Sequence, residues 1–170
     1  MSKNQLYTKT IYFLGILLLF FSCKGNAQKA TLSKNKANMK FKIIKSEEAW
    51  KEELNPKQFY VLREKGTERP GTGVYNLHFE KGTYTCAGCG TPLFKSNNKY
   101  ELHCGWPSFD DAIPEAVLYV KDTSHGMIRT EIVCAACGGH LGHIFDDGPQ
   151  ETTGKRYCVN SLSLDFKKEE

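Results

Sequence analysis

Two short segments constrain this chain more than anything else in it: "CAGCG" at 86–90 and "CAACG" at 134–138. Each sets two thiols two residues apart and follows them with glycine. The gap lets both sulfurs of a pair turn to one ion, and glycine tolerates the positive φ of a tight knuckle, which turns backbone N–H groups toward the sulfurs. Two knuckles supply four thiolates, a donor set for a closed tetrahedral zinc site with no position left for substrate. Cys86, Cys89, Cys134 and Cys137 are therefore expected to hold one structural Zn2+, and the fold must bring the two segments to one place. Disulfides within C-x-x-C are strained and reducible, a redox C-x-x-C needs a βαβ context that this chain lacks, and iron would take the same four sulfurs. A local set of Cys134, Cys137, His140 and His143 would orphan the first pair, so the histidines are left free for other work.

Around the knuckles the chain reads as a few helical turns followed by many strands. Ser46 before Glu47 and Glu48, and Asn55 before Pro56, are helix starts, with Gly66 as the stop. Beyond Gly66, strand-like runs recur between glycines and prolines: 82–86, 116–122, 126–134, 140–145 and 155–166. No long helical period separates them, so the expectation is a mainly antiparallel β domain over 41–170 with short N-terminal helices.

The first 40 residues are of another kind. Lys3 and Lys9 precede the apolar run "IYFLGILLLFFS" at 11–22, which is shorter than the ~20 residues of a membrane span and suits an export signal. The run ends at Cys23 in a context resembling a lipoprotein box, so residues 1–22 are expected to be removed and Cys23 acylated; cleavage after Ala27 and an uncleaved anchor are the alternatives. Residues 23–40 hold lysines, no acids and little apolar bulk, the composition of a flexible tether. The expected location is the cell envelope, with the membrane touched only through this anchor. Loss of residues 1–22 takes Lys3 and Lys9 from the 23 basic groups, leaving 21 against 19 acidic, a net charge of +2. That balance, with export, argues against a nucleic-acid partner.

Two cysteines remain. In "KRYCVNSLSL" a strand would place Arg156, Cys158 and Asn160 on one face and Tyr157 and Val159 on the other. A guanidinium beside the thiol is expected to lower its pKa and raise the thiolate fraction. Cys104 sits in "HCGWPSFDD", a loop by its glycine and proline. A loop thiol that reaches a second cysteine after oxidation and a static Cys104–Cys158 disulfide are both open readings. Trp106, by composition alone, reads as a packing residue.

The ordered motifs "YVLREKGTERPGTG", "CAGCGTPLF", "CGWPSF", "SHGMIRTEIVCAACGGHLGHIFDDGP" and "GKRYCVNSLSLDF" resemble the methionine-R-sulfoxide reductases of the MsrB type, from about Gln58 to Phe166. The resemblance implies two small antiparallel sheets in a tent-like or barrel-like arrangement. It implies that Cys158 attacks the sulfoxide of methionine-R-sulfoxide, free or protein-bound, and becomes a sulfenic acid. Cys104 would resolve it to a Cys104–Cys158 disulfide that a thioredoxin-like reductant reopens. Trp106 would contact the substrate methyl, His143 would help protonate the departing oxygen, His140 and Asn160 would order the site, and Arg156 would support the thiolate. A monomer is expected. His78 and His125 are left as structural or surface residues.

Two positions depart from the family pattern. Gly71 stands where the family usually carries an aromatic residue, which would open one wall of the substrate groove. His103 precedes Cys104 and would tune the resolving step by lowering the Cys104 pKa. The competing class is a non-catalytic zinc-binding scaffold, since related folds serve as binding modules. A scaffold has no need of Cys158, Cys104, Trp106 and the H-x-x-H pair together.

Overall fold

The computed structural model describes residues 39–170. The expected signal, Cys23 and nearly all of the tether lie outside the described residues. Helix α1 (Glu47–Glu53) starts where Ser46 Oγ accepts from the Ala49 N–H at 3.2 Å. Helix α2 (Pro56–Leu62) starts where Asn55 Oδ1 accepts from the Lys57 and Gln58 N–H groups, both at 3.0 Å, with proline at the first helical position. Side-chain caps satisfy the donors that a helix start leaves unpaired, which is why both ends were visible in the sequence. Helix α2 ends at Leu62, ahead of Gly66, and the left-handed residue is Lys65 at φ 60°. Gly66 instead bonds back to the Tyr60 carbonyl at 2.8 Å. Among the described residues no helix is long and apolar enough to cross a membrane.

Nine strands follow: β1 (Gly82–Cys86), β2 (Pro92–Lys95), β3 (Lys99–Tyr100), β4 (Ser108–Phe109), β5 (Val117–Asp122), β6 (Arg129–Cys134), β7 (His140–Phe145), β8 (Arg156–Val159) and β9 (Leu164–Lys168). They form two antiparallel sheets, one of three strands ordered β2-β1-β9 and one of six ordered β3-β4-β8-β7-β6-β5. Both sheets stay open, so the arrangement is tent-like and no barrel closes among the described residues. Aromatic rings from the two sheets interleave: Phe94 of β2 stacks on Phe109 of β4 with centroids 4.4 Å apart, and Tyr84 of β1 meets Phe109 edge-on at 5.1 Å. Each of these rings is fully buried, and burial of one such side chain stabilises by roughly 1.5–3 kcal/mol.

The run 155–166 is two strands, a correction to the single strand expected. Strand β8 belongs to the larger sheet and β9 to the smaller, with a 3-10 turn at Ser161–Ser163 between them. The cause is local side-chain chemistry. Ser163 Oγ donates to the Asn160 carbonyl at 2.7 Å, and the Glu68 carboxylate accepts from the Ser161 and Leu162 N–H groups at 2.6 and 3.0 Å. These bonds take backbone groups that a continuing ladder would have used.

Candidate active site

The two knuckles meet. Cys86 and Cys89 close the β1–β2 turn of one sheet, and Cys134 and Cys137 the β6–β7 turn of the other. Gly90 and Gly138 take φ 72° and 71°, and their N–H groups donate to the carbonyls of Cys86 and Cys134 at 2.7 and 2.8 Å, so they close the knuckle on its backbone and not on its sulfurs. All four sulfurs lie within 4.8 Å of one another. A tetrahedral ion with Zn–S bonds of about 2.3 Å needs sulfurs about 3.8 Å apart. The distances between knuckles, 3.8 Å for Cys86–Cys137 and 3.6 Å for Cys89–Cys134, fit that ion. Trp50 and Leu62, each 1% exposed, pack over this end, and Arg63 lies on the Trp50 ring and donates to the Cys137 carbonyl at 3.4 Å. The helices thus brace the place where the sheets are tied.

Cys158 lies at the other functional region, in the middle of β8. Its neighbours are fixed by register: His143 of β7 is directly opposite on one side, and Ser108 of β4 on the other. Directly opposite residues in an antiparallel pair share a face, so the imidazole and the serine flank the thiol. Cys104 Sγ lies 3.5 Å from Ser108 Oγ and 3.4 Å from the Trp106 carbonyl, close enough to Cys158 to act on its proton. Both Cys104 and Cys158 are free thiols. A side chain at Gly142, beside His143, would put its Cβ 2.0 Å from the Cys158 carbonyl. Only glycine allows β7 to approach β8 so closely here.

The alternation expected for β8 holds: Tyr157 and Val159 are buried, while Arg156 and Cys158 face the partly exposed side. Its electrostatic consequence is reversed. Burial pushes the Cys158 thiol up to about 12, the nearby Cys104 adds to the rise, and Arg156 offsets only part of it. The Arg156 guanidinium is spent elsewhere, on Asp147 through two bonds of 2.7 and 2.9 Å and on the Phe145 ring at 4.2 Å. Cys158 therefore rests as a neutral thiol.

The histidines are held by carboxylates that the sequence reading did not single out. His143 Nε2 lies 2.8 Å from Asp122 Oδ2, which Arg129 also reaches at 2.7 Å. A carboxylate only accepts, so Nε2 carries the resting proton and Nδ1 keeps the lone pair. Burial lowers the His143 pKa, more than Asp122 raises it. His140 Nδ1 lies 2.9 Å from Glu131 Oε1, both side chains buried. Burial alone would raise Glu131, but His140 and Lys65 bring it to about 2. The available signal was an Arg-x-Glu alternation in a strand otherwise built of apolar and hydroxyl residues: Arg129 and Glu131 point to one face of β6.

A cavity of about 140 Å³ opens beside the thiol, lined by Trp106, His143, Cys158 and Asn160, with Thr67, Arg129, Gly142, Phe145 and Val159. Trp106 is half-buried and its Nε1–H donates to the Glu68 carbonyl at 3.1 Å, so it is more than a packing residue. Asn160 is buried beyond the end of β8 and serves as a clamp: Oδ1 accepts from the Glu68 N–H at 3.1 Å and Nδ2 donates to the Leu141 carbonyl at 3.0 Å. His103 does not meet Cys104. Its ring is 84% exposed and pairs with Glu101 at 3.0 Å, so the tuning expected of it has no contact to act through. At Gly71 a Cβ would meet nothing within 4 Å, consistent with an open wall. His78 is structural, its ring Nδ1 2.9 Å from the Tyr84 hydroxyl.

Residues 54–168 match the SelR domain. A peptide methionine sulfoxide reductase MsrB of Chromohalobacter salexigens is 54% identical over 129 residues, covering 75% of this chain and 97% of that protein. One from Leptospira interrogans is 54% identical over 132 residues, 77% of this chain and all of that protein. One from Methanosarcina barkeri is 58% identical over 129 residues, 75% of this chain and 90% of its own length.

Proposed function

The chain belongs to the SelR domain family, and from that membership we propose that it is a peptide-methionine (R)-S-oxide reductase whose nucleophile is Cys158. Cys158 Sγ attacks the sulfoxide sulfur, the oxygen passes to Cys158, and methionine leaves. Thiol and sulfoxide become sulfenic acid and thioether, with no proton or electron left over. Cys104 Sγ then displaces the hydroxyl as water and forms the Cys104–Cys158 disulfide. A dithiol of the thioredoxin type reopens it by exchange and is itself oxidised.

The observation that carries this reading is the position of Cys158 between His143 and Ser108 on the ladder, with the Cys104 thiol next to Ser108. A sulfoxide oxygen is a poor leaving group until it is protonated. Burial keeps the required proton on the Cys158 thiol in the free protein and keeps its cross-strand neighbour His143 neutral, with a ring nitrogen able to accept it. Thiol with imidazole holds the same protons as thiolate with imidazolium, so substrate entry need only move one proton along the pair to the oxygen. Trp106 forms a wall for the substrate methyl; His140, Asn160 and Arg156 hold the site around it.

The four knuckle cysteines bind one structural Zn2+, which takes no part in the reaction and ties the two sheets; metal analysis should return one ion per chain. The chain acts as an exported monomer, acylated at Cys23 after loss of residues 1–22 and facing the envelope on the 23–40 tether. Mass analysis of the mature N-terminus, with Cys23→Ala as control, tests this.

The deciding experiment is methionine formation from separated R- and S-methionine sulfoxide with dithiothreitol. Wild type should turn over the R epimer, Cys158→Ser should not, and Cys104→Ser should complete one oxygen transfer and recycle slowly. No turnover in a folded, zinc-loaded wild type would return the chain to the scaffold class.

A further inference from the structure

Glu68 touches neither thiol nor His143 and does not line the cavity beside Cys158, yet each of its polar groups is committed to a segment that does. Its N–H donates to Asn160 Oδ1 at 3.1 Å, and its carbonyl accepts from Trp106 Nε1 at 3.1 Å. Its carboxylate accepts from the N–H groups of Ser161 at 2.6 Å and Leu162 at 3.0 Å. The residue is only 7% exposed. A buried carboxylate costs several kcal/mol unless its lone pairs are filled, and here two backbone donors fill them.

Those four bonds join three segments distant in sequence: the loop carrying Thr67, the loop carrying Cys104 and Trp106, and the turn that ends β8. Thr67, Trp106 and Asn160 all line the cavity beside Cys158. Their relative placement depends on one side chain reaching the 161–162 backbone while its own backbone holds the indole and the amide. We propose that Glu68 is a positioning residue for substrate binding, setting the depth of the Trp106 ring against Cys158 by anchoring the Trp106 loop to the turn after Asn160. This rests on the reductase reading above and deepens it. The chemistry at Cys158 does not run through Glu68, so its loss should act on affinity more than on turnover.

Glu68→Gln tests this, because the amide keeps the size but offers only one acceptor and turns a donor toward an N–H. In the full chain, KM for methionine-R-sulfoxide should rise about tenfold with kcat within about twofold, the signature of lost positioning and not of lost chemistry. Trp106 gives an independent readout. The chain has two tryptophans, and Trp50 is 1% exposed, so acrylamide quenching reports Trp106 and should increase in the variant. In Glu68→Gln/Trp106→Phe, KM should not rise beyond that of Trp106→Phe alone. If Glu68→Gln fails to fold, Glu68→Asp keeps the charge, shortens the reach by one methylene and is expected to show the same KM and quenching changes in smaller degree. Wild-type KM and wild-type quenching in a folded variant would overturn the proposal, as would equal losses in kcat and stability with KM unchanged. If wild type shows no turnover, the reductase reading fails, while quenching still decides whether Glu68 holds Trp106.

Discussion

Six of the described cysteines fall into two regions, and the contrast between them shows what a sulfur takes from its surroundings. At the knuckle end, four sulfurs lie within 4.8 Å of one another, so four thiolate charges can stand together there only around a cation. On the face of the larger sheet, Cys158 has burial, a guanidinium bound elsewhere and a single thiol neighbour, and it keeps its proton. The first arrangement supports the fold and the second supports reaction. The two kinds of cysteine should fail in opposite ways.

The largest effect expected is on folding. Structural zinc binding supplies about 10–16 kcal/mol, against a net domain stability of about 5–15 kcal/mol. Cys134→Ser, or a strong chelator, should therefore abolish cooperative thermal unfolding. Cys158→Ser should leave the melting curve within about 3 °C of wild type, since one partly exposed oxygen-for-sulfur exchange falls within roughly 0.5 kcal/mol. Calorimetry on both variants checks this, and equal losses would erase the distinction.

A middle-sized effect is expected at Asp122. The carboxylate raises His143 against the lowering by burial, so Asp122→Asn should drop the His143 pKa further and move its limb of the pH–rate profile to lower pH. The turnover number at neutral pH should fall about tenfold, less than the roughly 100-fold or more for loss of a general acid or base, because His143 itself remains. The smallest effect is expected at His103, which is 84% exposed and tied to Glu101. His103→Ala should leave the rate of disulfide formation after a single oxygen transfer unchanged within about twofold, as is usual for exposed positions.

The same contrast governs what could be read from the chain alone. The knuckles declare themselves because ligand spacing is a local property, and Ser46 and Asn55 declare the helices for the same reason. The alternation of Tyr157 and Val159 against Arg156 and Cys158 was legible because one strand contains it. The break at Asn160 was not, because the carboxylate that captures the 161–162 backbone sits at position 68. Nor was the proton state of Cys158, which depends on burial by β4 and β7, or the hold of Asp122 on His143 across the sheet. Residues that act through partners far away in sequence leave only faint marks: paired charges on one face of a strand, as at Arg129 and Glu131, or a glycine inside one, as at Gly142.

The closeness of Cys104 to Cys158 also bears on damage. A sulfenic acid exposed to peroxide is carried on to sulfinic acid, which ordinary thiols do not reverse. On the mechanism proposed above, the intermediate would form beside a tethered thiol, whose effective concentration far exceeds that of any dissolved oxidant. In that role Cys104 would guard the enzyme against its own inactivation, and the interval in which a second oxidant could strike would be set by the reach of one short loop.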